Sequence, residues 1–356
     1  MHRKRPAPRI NAIATAVPTC DVQPTYREWA NRQLTDPRKA KLFARMCERS
    51  GIEHRWSVLP EADARLEPGS LYAGETPPGT ADRMRIYARE APELALEAIG
   101  ALPDLGQVTH LVVASCTGFI APGIDQIIAR RLGLSDHVER VLIGFMGCYA
   151  GAVALRTAGH LARSVPTARV LVVTVELSSL HLQPADEIEP LLAMLQFGDG
   201  AAAAIVSNEG RGLKIGEGLS VALEESDELI TWTIGDTGFA MHLSGAVPGR
   251  LAEALANPEL VRRIAGTDAI SDLDAWAVHA GGRSILDAVE RALALPANSL
   301  DASRDVLRAF GNMSSATLLF ALATIMEEQP EKGVALAFGP GLALEGFRFG
   351  WTDDAG

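Results

Sequence analysis

The chain has 356 residues, 47% hydrophobic, 22% charged and 5% aromatic, enough apolar material for a large buried core and too much for a disordered chain. Its formal net charge of −11 excludes nucleic acid as a partner, because phosphate binding by counterion release needs a basic face. Four cysteines, Cys20, Cys47, Cys116 and Cys148, are irregularly spaced with no CxxC pair, which argues against a disulfide framework or a metal site and predicts a reducing, cytoplasmic compartment.

The basic start at residues 1–5 is followed by short apolar stretches broken by Pro8, Asn11 and Pro18, so no secretory signal is expected. No run reaches membrane-spanning length. The densest cationic stretch is 41–55, with Lys41, Arg45, Arg49 and Arg55; on a helix Arg45 and Arg49 share one face. An acidic protein that takes an anionic substrate needs such a patch, although an ordinary solvated helix face reads the same way. Residues 72–80, rich in Gly and Pro, read as a loop.

From there the pattern predicts a helix over 91–102, a strand over 110–114, a helix over 124–132, a strand over 141–145 and a helix over 150–162. Strands follow at 170–175 and 201–207, and 210–218 with 224–227 mark a break between halves. Beyond it come a strand at 275–279, helices at 284–295, 303–310 and 314–328, and a strand at 334–338. Throughout-apolar strands alternating with helices predict a mostly buried, largely parallel α/β sheet. The order strand, small-residue loop, helix over 110–132 recurs over 275–295. Two similar α/β units facing each other are therefore expected, 1–210 and 211–356, with reactive residues where they join.

Cys148 lies in Gly147-Cys148-Tyr149-Ala150-Gly151, between a strand-like and a helix-like run. Unpaired N–H groups and the positive end of the macrodipole in a first helical turn favour thiolate, so a lowered thiol pKa is expected. Gly147 tolerates a strained turn, and Gly151 allows close approach of another backbone or a substrate. His279 closes a strand in Ala275-Trp276-Ala277-Val278-His279, where Gly281-Gly282 leaves room for a ligand beside the ring. Asn312 precedes a helical run and taken alone reads as an N-cap. Singly, the other two also have bland readings: a buried structural cysteine and a core histidine.

Together the three stand at junctions of the kind where α/β sheets assemble active sites. An imidazolium–thiolate pair of His279 and Cys148, with the Asn312 amide and the His N–H donating to an oxyanion, fits acyl transfer on a thioester without metal.

At this point the chain resembles the type III polyketide synthases, the chalcone-synthase-like branch of the thiolase superfamily. The resemblance rests on Phe43-Ala44-Arg45-Met46-Cys47-Glu48-Arg49-Ser50-Gly51-Ile52, Gly147-Cys148-Tyr149-Ala150-Gly151, Phe197-Gly198-Asp199-Gly200-Ala201, Val278-His279 with Gly281-Gly282, Gly311-Asn312-Met313-Ser314-Ser315 and Phe338-Gly339-Pro340-Gly341, in the family's order. It implies a thiolase-like fold, two similar halves in a layered αβαβα arrangement, and a homodimer that takes acyl-CoA and malonyl-CoA as substrates, with no further cofactor. Cys148 would hold the growing chain. His279 and Asn312 would stabilise the enolate formed as malonyl-CoA loses CO₂.

The same resemblance assigns Phe197 as a gatekeeper, Arg45 and Arg49 to the coenzyme A phosphates and Ser284 to the pantetheine arm. Leu42, beside Lys41, replaces a third family cation. Met241 stands where plant members have a second gatekeeper phenylalanine, Trp232 where they keep a glycine, and Ala121 where they send a methionine into the neighbouring subunit. Cys116, Thr117, Ser178 or its neighbours, and Ser314 would line the cavity. The combination looks bacterial and favours an aliphatic or malonyl starter and a pyrone or resorcinol-type product over a flavonoid.

A ketoacyl synthase of the KAS III type uses the same three residues and is the nearest rival. A thiolase proper would need a second catalytic cysteine near the C-terminus, and none follows Cys148. A Cys-His-Asn thioester or amide hydrolase would hydrolyse rather than condense, and a non-catalytic dimerisation module would have no use for all three groups.

Overall fold

The computed structural model describes residues 7–64, 69–74 and 76–353; the basic start at 1–5 lies outside them, as does residue 75 of the expected loop. The chain opens with β1 (Arg9–Ala16), β2 (Cys20–Asp21), α1 (Gln23–Gln33), α2 (Pro37–Ser50), β3 (Trp56–Ser57), the short α3 (Glu61–Ala64) and the long α4 (Thr80–Gly100). It continues through β4 (His110–Ser115), α5 (Ile124–Arg131), β5 (Glu139–Gly144), α6 (Ala150–Ser164), β6 (Arg169–Leu177), α7 (Ile188–Met194) and β7 (Asp199–Ser207). Then come β8 (Gly212–Ala222), β9 (Ile230–Gly235), β10 (Gly238–Leu243), α8 (Val247–Leu255), α9 (Pro258–Ala265) and β11 (Ala275–Val278). The last elements are α10 (Arg283–Ala292), α11 (Asp301–Phe310), α12 (Thr317–Glu328), β12 (Gly333–Gly339) and β13 (Ala343–Thr352).

Among the described residues the main sheet has nine strands in the order β11-β12-β13-β8-β1-β7-β6-β4-β5. It is mixed rather than largely parallel. Parallel pairing is confined to β4 with β5 and β6 and to β11 with β12, and the other neighbours run antiparallel. The all-apolar strands reflect helices on both faces, and that cover does not depend on strand direction.

Three core clusters define the layers. Alanine-rich α6 packs with α12 between the two arms of the sheet, where Ala150, Ala154, Leu155, Ala158, Leu318 and Leu322 are fully buried. Helices α4 and α5 cover the outer face of the β4–β7 arm, and α8 to α11 cover that of the β11–β13 arm. The result is a thiolase-like αβαβα stack. Small side chains on α6 let both arms approach one helix layer; each fully buried Leu or Val adds about 1.5–3 kcal/mol.

The stretch 210–218, where the break between halves was expected, is mostly strand β8, which joins β1 to β13 and keeps the sheet continuous. Its glycines serve close packing: a Cβ on Gly216 would meet the Arg348 carbonyl at 2.8 Å. Residues 224–225 do turn, between β8 and β9. Helix α4 starts at Thr80, eleven residues before the expected 91, because Pro92 sits inside it and masks the helical pattern on its N-terminal side.

Candidate active site

The chain reaches the nucleophile through an abrupt change of direction. Phe145 adopts φ 57° and Gly147 φ 78°, after which Gly147–Tyr149 forms a 3₁₀ turn leading into α6. Gly147 is required twice over, since a Cβ there would also lie 2.5 Å from Cδ of Pro340. Gly151 gives the close approach its position suggested: its Cβ would lie 2.2 Å from the Ser315 carbonyl oxygen.

His279 follows β11 with its N–H on the Leu336 carbonyl of β12 at 2.8 Å. Asn312 departs from expectation, following helix α11 and not a strand. A one-residue parallel bridge ties it to Phe197, with Asn312 N–H donating to the Gln196 carbonyl at 2.7 Å and Gly198 N–H to the Asn312 carbonyl at 3.0 Å. Its Oδ1 accepts from Ser314 N–H at 2.8 Å, just ahead of the 3₁₀ turn Ser314–Ala316, whose N-cap is Met313. The Nδ2 group makes a long bond to the Gly281 carbonyl, 3.4 Å, and a hydrogen bond to the Cys148 thiol.

Cys148, His279 and Asn312 all line one small cavity of about 30 Å³, with Phe197 and Met241 on its wall. All three are buried. Burial pushes the Cys148 thiol up to about 11, against hydrogen bonds from Ser314 and Asn312 that pull it down and the Glu176 carboxyl that raises it. Burial likewise pushes His279 down to about 3. The lowered thiol expected from the helix N-terminus is therefore not what this site produces alone; desolvation outweighs the turn's dipoles. Each value is the cost of charging one group by itself. Moving the proton from Cys148 to His279 creates both charges side by side, where their attraction offsets much of that cost. Both ring nitrogens of His279 lack a protein partner, which leaves them free for the thiol and a substrate oxygen.

The cavity behind Cys148 is more polar than its sequence suggests. Glu176, fully buried on β6, accepts from Cys116 N–H at 3.0 Å, Thr117 Oγ1 at 2.9 Å, Cys116 Sγ at 3.3 Å and Ser315 Oγ. Burial raises its pKa against those donors. Ser314 Oγ lies 3.1 Å from Cys116 Sγ and also bonds Cys148, so one hydroxyl connects the two thiols.

Trp232, on the β9–β10 hairpin, donates from Nε1 to the Cys116 carbonyl at 2.8 Å. His181 stacks on Phe239 at 4.2 Å and meets Trp232 edge-on at 5.4 Å. Its Nδ1 accepts from Phe239 N–H at 3.0 Å, so Nε2 holds the ring proton and donates to the Thr117 carbonyl at 2.7 Å. Trp232 thus belongs to an aromatic cluster with His181 and Phe239. Neither Glu176 nor His181 was singled out in the sequence. A carboxylate inside the otherwise apolar strand run of β6 was the available signal for the first.

Cys116, Thr117, Ser178, Ser314, Phe197, Trp232 and Met241 share a second small cavity with Cys148. Ser178, Phe197, Trp232 and Met241 also line a cavity of about 440 Å³ that extends to the exposed 184–187 segment. Phe197 and Met241 touch all three spaces and form the partition between them. Ala121 is exposed and lines none of these spaces within its own chain.

Helix α2 is well specified locally: Asp36 caps it through Arg38 N–H at 2.8 Å, Pro37 occupies its first turn, and Gly51 ends it at φ 71°. Arg45 and Arg49 sit on its exposed face. The end of α2 meets the start of α10, where Arg283 Nη1 donates to the Arg49 carbonyl at 3.4 Å and exposed Ser284 lies in the first turn. Leu42 is exposed on α2 as well. Arg55 does not belong to this patch: it is 3% exposed and lines the 440 Å³ cavity. Among the described residues no cluster of His, Cys, Asp or Glu is arranged to hold a metal, and no helix is long and apolar enough to cross a membrane.

The family model described as the N-terminal domain of chalcone and stilbene synthases matches residues 2–210, and the corresponding C-terminal domain matches 217–350. The chain is 33% identical to the alpha-pyrone synthesis polyketide synthase-like Pks18 of Mycobacterium tuberculosis, over 96% of this chain and 90% of that protein. It is 34% identical to bisdemethoxycurcumin synthase of Oryza sativa subsp. japonica, over 94% and 90%. Among solved structures, 1,3,6,8-tetrahydroxynaphthalene synthase from Streptomyces coelicolor A3(2), a bacterial type III polyketide synthase, superposes with a TM-score of 0.86 at 29% identity, covering 97% of this chain and all (100%) of the other.

Proposed function

The chain belongs to the chalcone and stilbene synthase family, the type III polyketide synthases, acyltransferases that form carbon–carbon bonds, and from that premise we propose how its own residues carry the reaction. The observation that supports the scheme is the convergence of Cys148, His279 and Asn312 on one cavity. Cys148 Sγ attacks the starter thioester carbonyl as His279 takes its proton, and the coenzyme A thiolate leaves with that proton. Malonyl-CoA then loses CO₂. The electrons of the broken carbon–carbon bond pass onto the thioester oxygen, where the Asn312 Nδ2–H and the His279 N–H donate. The enolate carbon attacks the acyl carbonyl on Cys148, and the Cys148 thiolate leaves. Two preorganised donors in a water-excluded pocket are worth several kcal/mol here, about 3 per donor. The amide suits the task because a carboxylate at 312 would repel the enolate.

Arg45 and Arg49, with Ser284 opposite, hold the coenzyme A phosphates and pantetheine arm at the junction of α2 and α10. Coenzyme A thioesters serve as substrates, and the scheme calls for no resident cofactor. Phe197 and Met241 divide the catalytic cavity from the 440 Å³ space, whose largely apolar wall suits an aliphatic acyl tail. That space, together with the α-pyrone activity named for the mycobacterial relative, favours an aliphatic starter and a pyrone or resorcinol-type product.

The active form is a homodimer. β5 is the edge of the nine-stranded sheet, and exposed Val141 and Leu142 with nearby Phe119 give it an apolar face. The buried thiols of Cys47, Cys116 and Cys148 suit a reducing cytoplasm. Incubation with malonyl-CoA and a panel of acyl-CoA starters tests the reading by mass spectrometry: CO₂ release with pyrone or resorcinol products is expected. Conversion of the starters to free acids with no new carbon–carbon bond would refute it.

A further inference from the structure

The one-residue bridge to Phe197 fixes the backbone of Asn312, so whatever sets the spacing of the two bridged segments also sets the carboxamide. A buried side chain from a distant part of the chain touches both. The aliphatic stem of Arg55 occupies space that side chains at two glycines would need: a Cβ on Gly311 would meet Arg55 Cγ at 2.9 Å, and a Cβ on Gly198 would meet Arg55 Cβ at 3.5 Å. Beyond the stem, Nη1 donates to the carbonyls of Phe197 at 2.6 Å and Met194 at 2.9 Å, and Nε donates to Gln23 Oε1. The guanidinium lies 4.6 Å from the centre of the Tyr26 ring on α1. The backbone of Arg55 is pinned as well, its N–H on Asp21 Oδ1 at 3.2 Å and its carbonyl accepting from Val22 N–H at 2.8 Å.

Packing alone does not call for a guanidinium here. Burying a cation is costly, none of the acceptors on its side chain is a carboxylate, and Nη2 has no partner. An apolar side chain of similar length would fill the same space. It would not hold the Phe197 carbonyl. What the charged group adds is a fixed distance between α1, the 196–198 segment and the Gly311-Asn312 turn packed against the stem.

We propose that Arg55 is a positioning residue for the decarboxylation step: it fixes the 196–198 segment against Gly311 and so sets the Asn312 carboxamide where the enolate oxygen forms. The inference rests on the proposed role of Asn312 and adds to it a residue that never touches substrate. The Cys148 backbone is placed by different contacts, the Gly147–Tyr149 turn packed on Pro340, so acylation of Cys148 does not depend on Arg55.

The test separates the two half-reactions. CO₂ release is measured with malonyl-CoA as sole substrate, and acylation of Cys148 by a starter acyl-CoA is followed by rapid-quench intact-protein mass spectrometry. Arg55→Met, judged folded by its melting transition, should lower kcat for CO₂ release about tenfold to a hundredfold, the scale of a small displacement, with acylation within about twofold of wild type. Arg55→Lys, which keeps the stem and a donor, should fall between the two. In an Asn312→Ala background Arg55→Met should cause no further fall in CO₂ release, because its effect passes through the carboxamide. A loss shared equally by acylation, a full further loss in Asn312→Ala, or CO₂ release at the wild-type rate in Arg55→Met would overturn the inference and leave the proposed function standing. Undiminished CO₂ release in Asn312→Ala itself would instead remove the proposed role of Asn312, and the inference with it. If Arg55→Met does not fold, Gln23→Met, which withdraws the Nε acceptor and leaves Arg55 in place, is read by the same measurements, with a smaller fall expected in CO₂ release alone.

Discussion

Asn312 divides its carboxamide in two: the oxygen accepts from Ser314 N–H, which fixes the plane of the group and leaves the nitrogen near the cavity it shares with Cys148 and His279. The N-cap expected of Asn312 falls instead to Met313 for the Ser314–Ala316 turn and to Ala316 for α12. Cys148 and His279 are a similar pair of complementary facts. Burial alone sets the thiol at about 11, so at pH 8 only about one molecule in a thousand carries a thiolate, too few for a nucleophile. A proton acceptor beside it is what changes that number. Alkylation of Cys148 by iodoacetamide, followed against pH, measures it, because only the thiolate reacts. The apparent pKa in His279→Ala should rise toward the burial value of about 11, with the wild type lower; coincident profiles would show that His279 is not the thiol's partner.

The three residues that meet at the cavity were readable because each is a reactive type at a junction with glycine beside it. Arg55, Glu176 and His181 were not. Their roles come from partners 32 to 142 positions away, such as Gln23 and Phe197 for Arg55, and no local pattern encodes those pairings.

Strand β5 ends the main sheet, and its burial contrasts sharply with that of its neighbour β4, which is buried at every position. An edge strand with exposed apolar residues invites pairing, and in the proposed homodimer a second copy of the chain would supply the match through twofold symmetry. Sedimentation velocity should therefore find the wild type at twice the chain mass and Leu142→Asp largely at the chain mass, since the substitution places a charge in the pairing face of each protomer. A monomeric wild type would remove the dimer from the account. Elements were legible where one period dominated, as in α5, α6, β6 and β7. They were lost where packing overrode it. Glycines that admit neighbouring backbone made β8 resemble a linker, and Pro92 hid the first half of α4; the β9–β10 hairpin, which carries Trp232 and Met241, was missed although Ile230-Thr231-Trp232-Thr233-Ile234 alternates apolar with polar residues.

Across the molecule, two sheet arms close on the α6 and α12 layer, and the nucleophile rises from the start of α6 to meet residues delivered by β11 and by the turn before α12. Two similar units facing each other could be read from the repeated strand, loop and helix order. The sheet's mixed direction could not, because full burial on both faces erases the alternation that would distinguish parallel from antiparallel strands. The arrangement places one sulfur, one imidazole and one carboxamide on one cavity, where the proposed reaction puts a thioester. Intact-protein mass spectrometry after mixing with a starter acyl-CoA, and again after adding malonyl-CoA, observes this directly. The wild type should gain the mass of one acyl group, mapped by proteolysis to Cys148, and lose it as chain-extended product appears, while Cys148→Ala should gain nothing and release no product. An acyl group on another residue, or full activity in Cys148→Ala, would contradict the account.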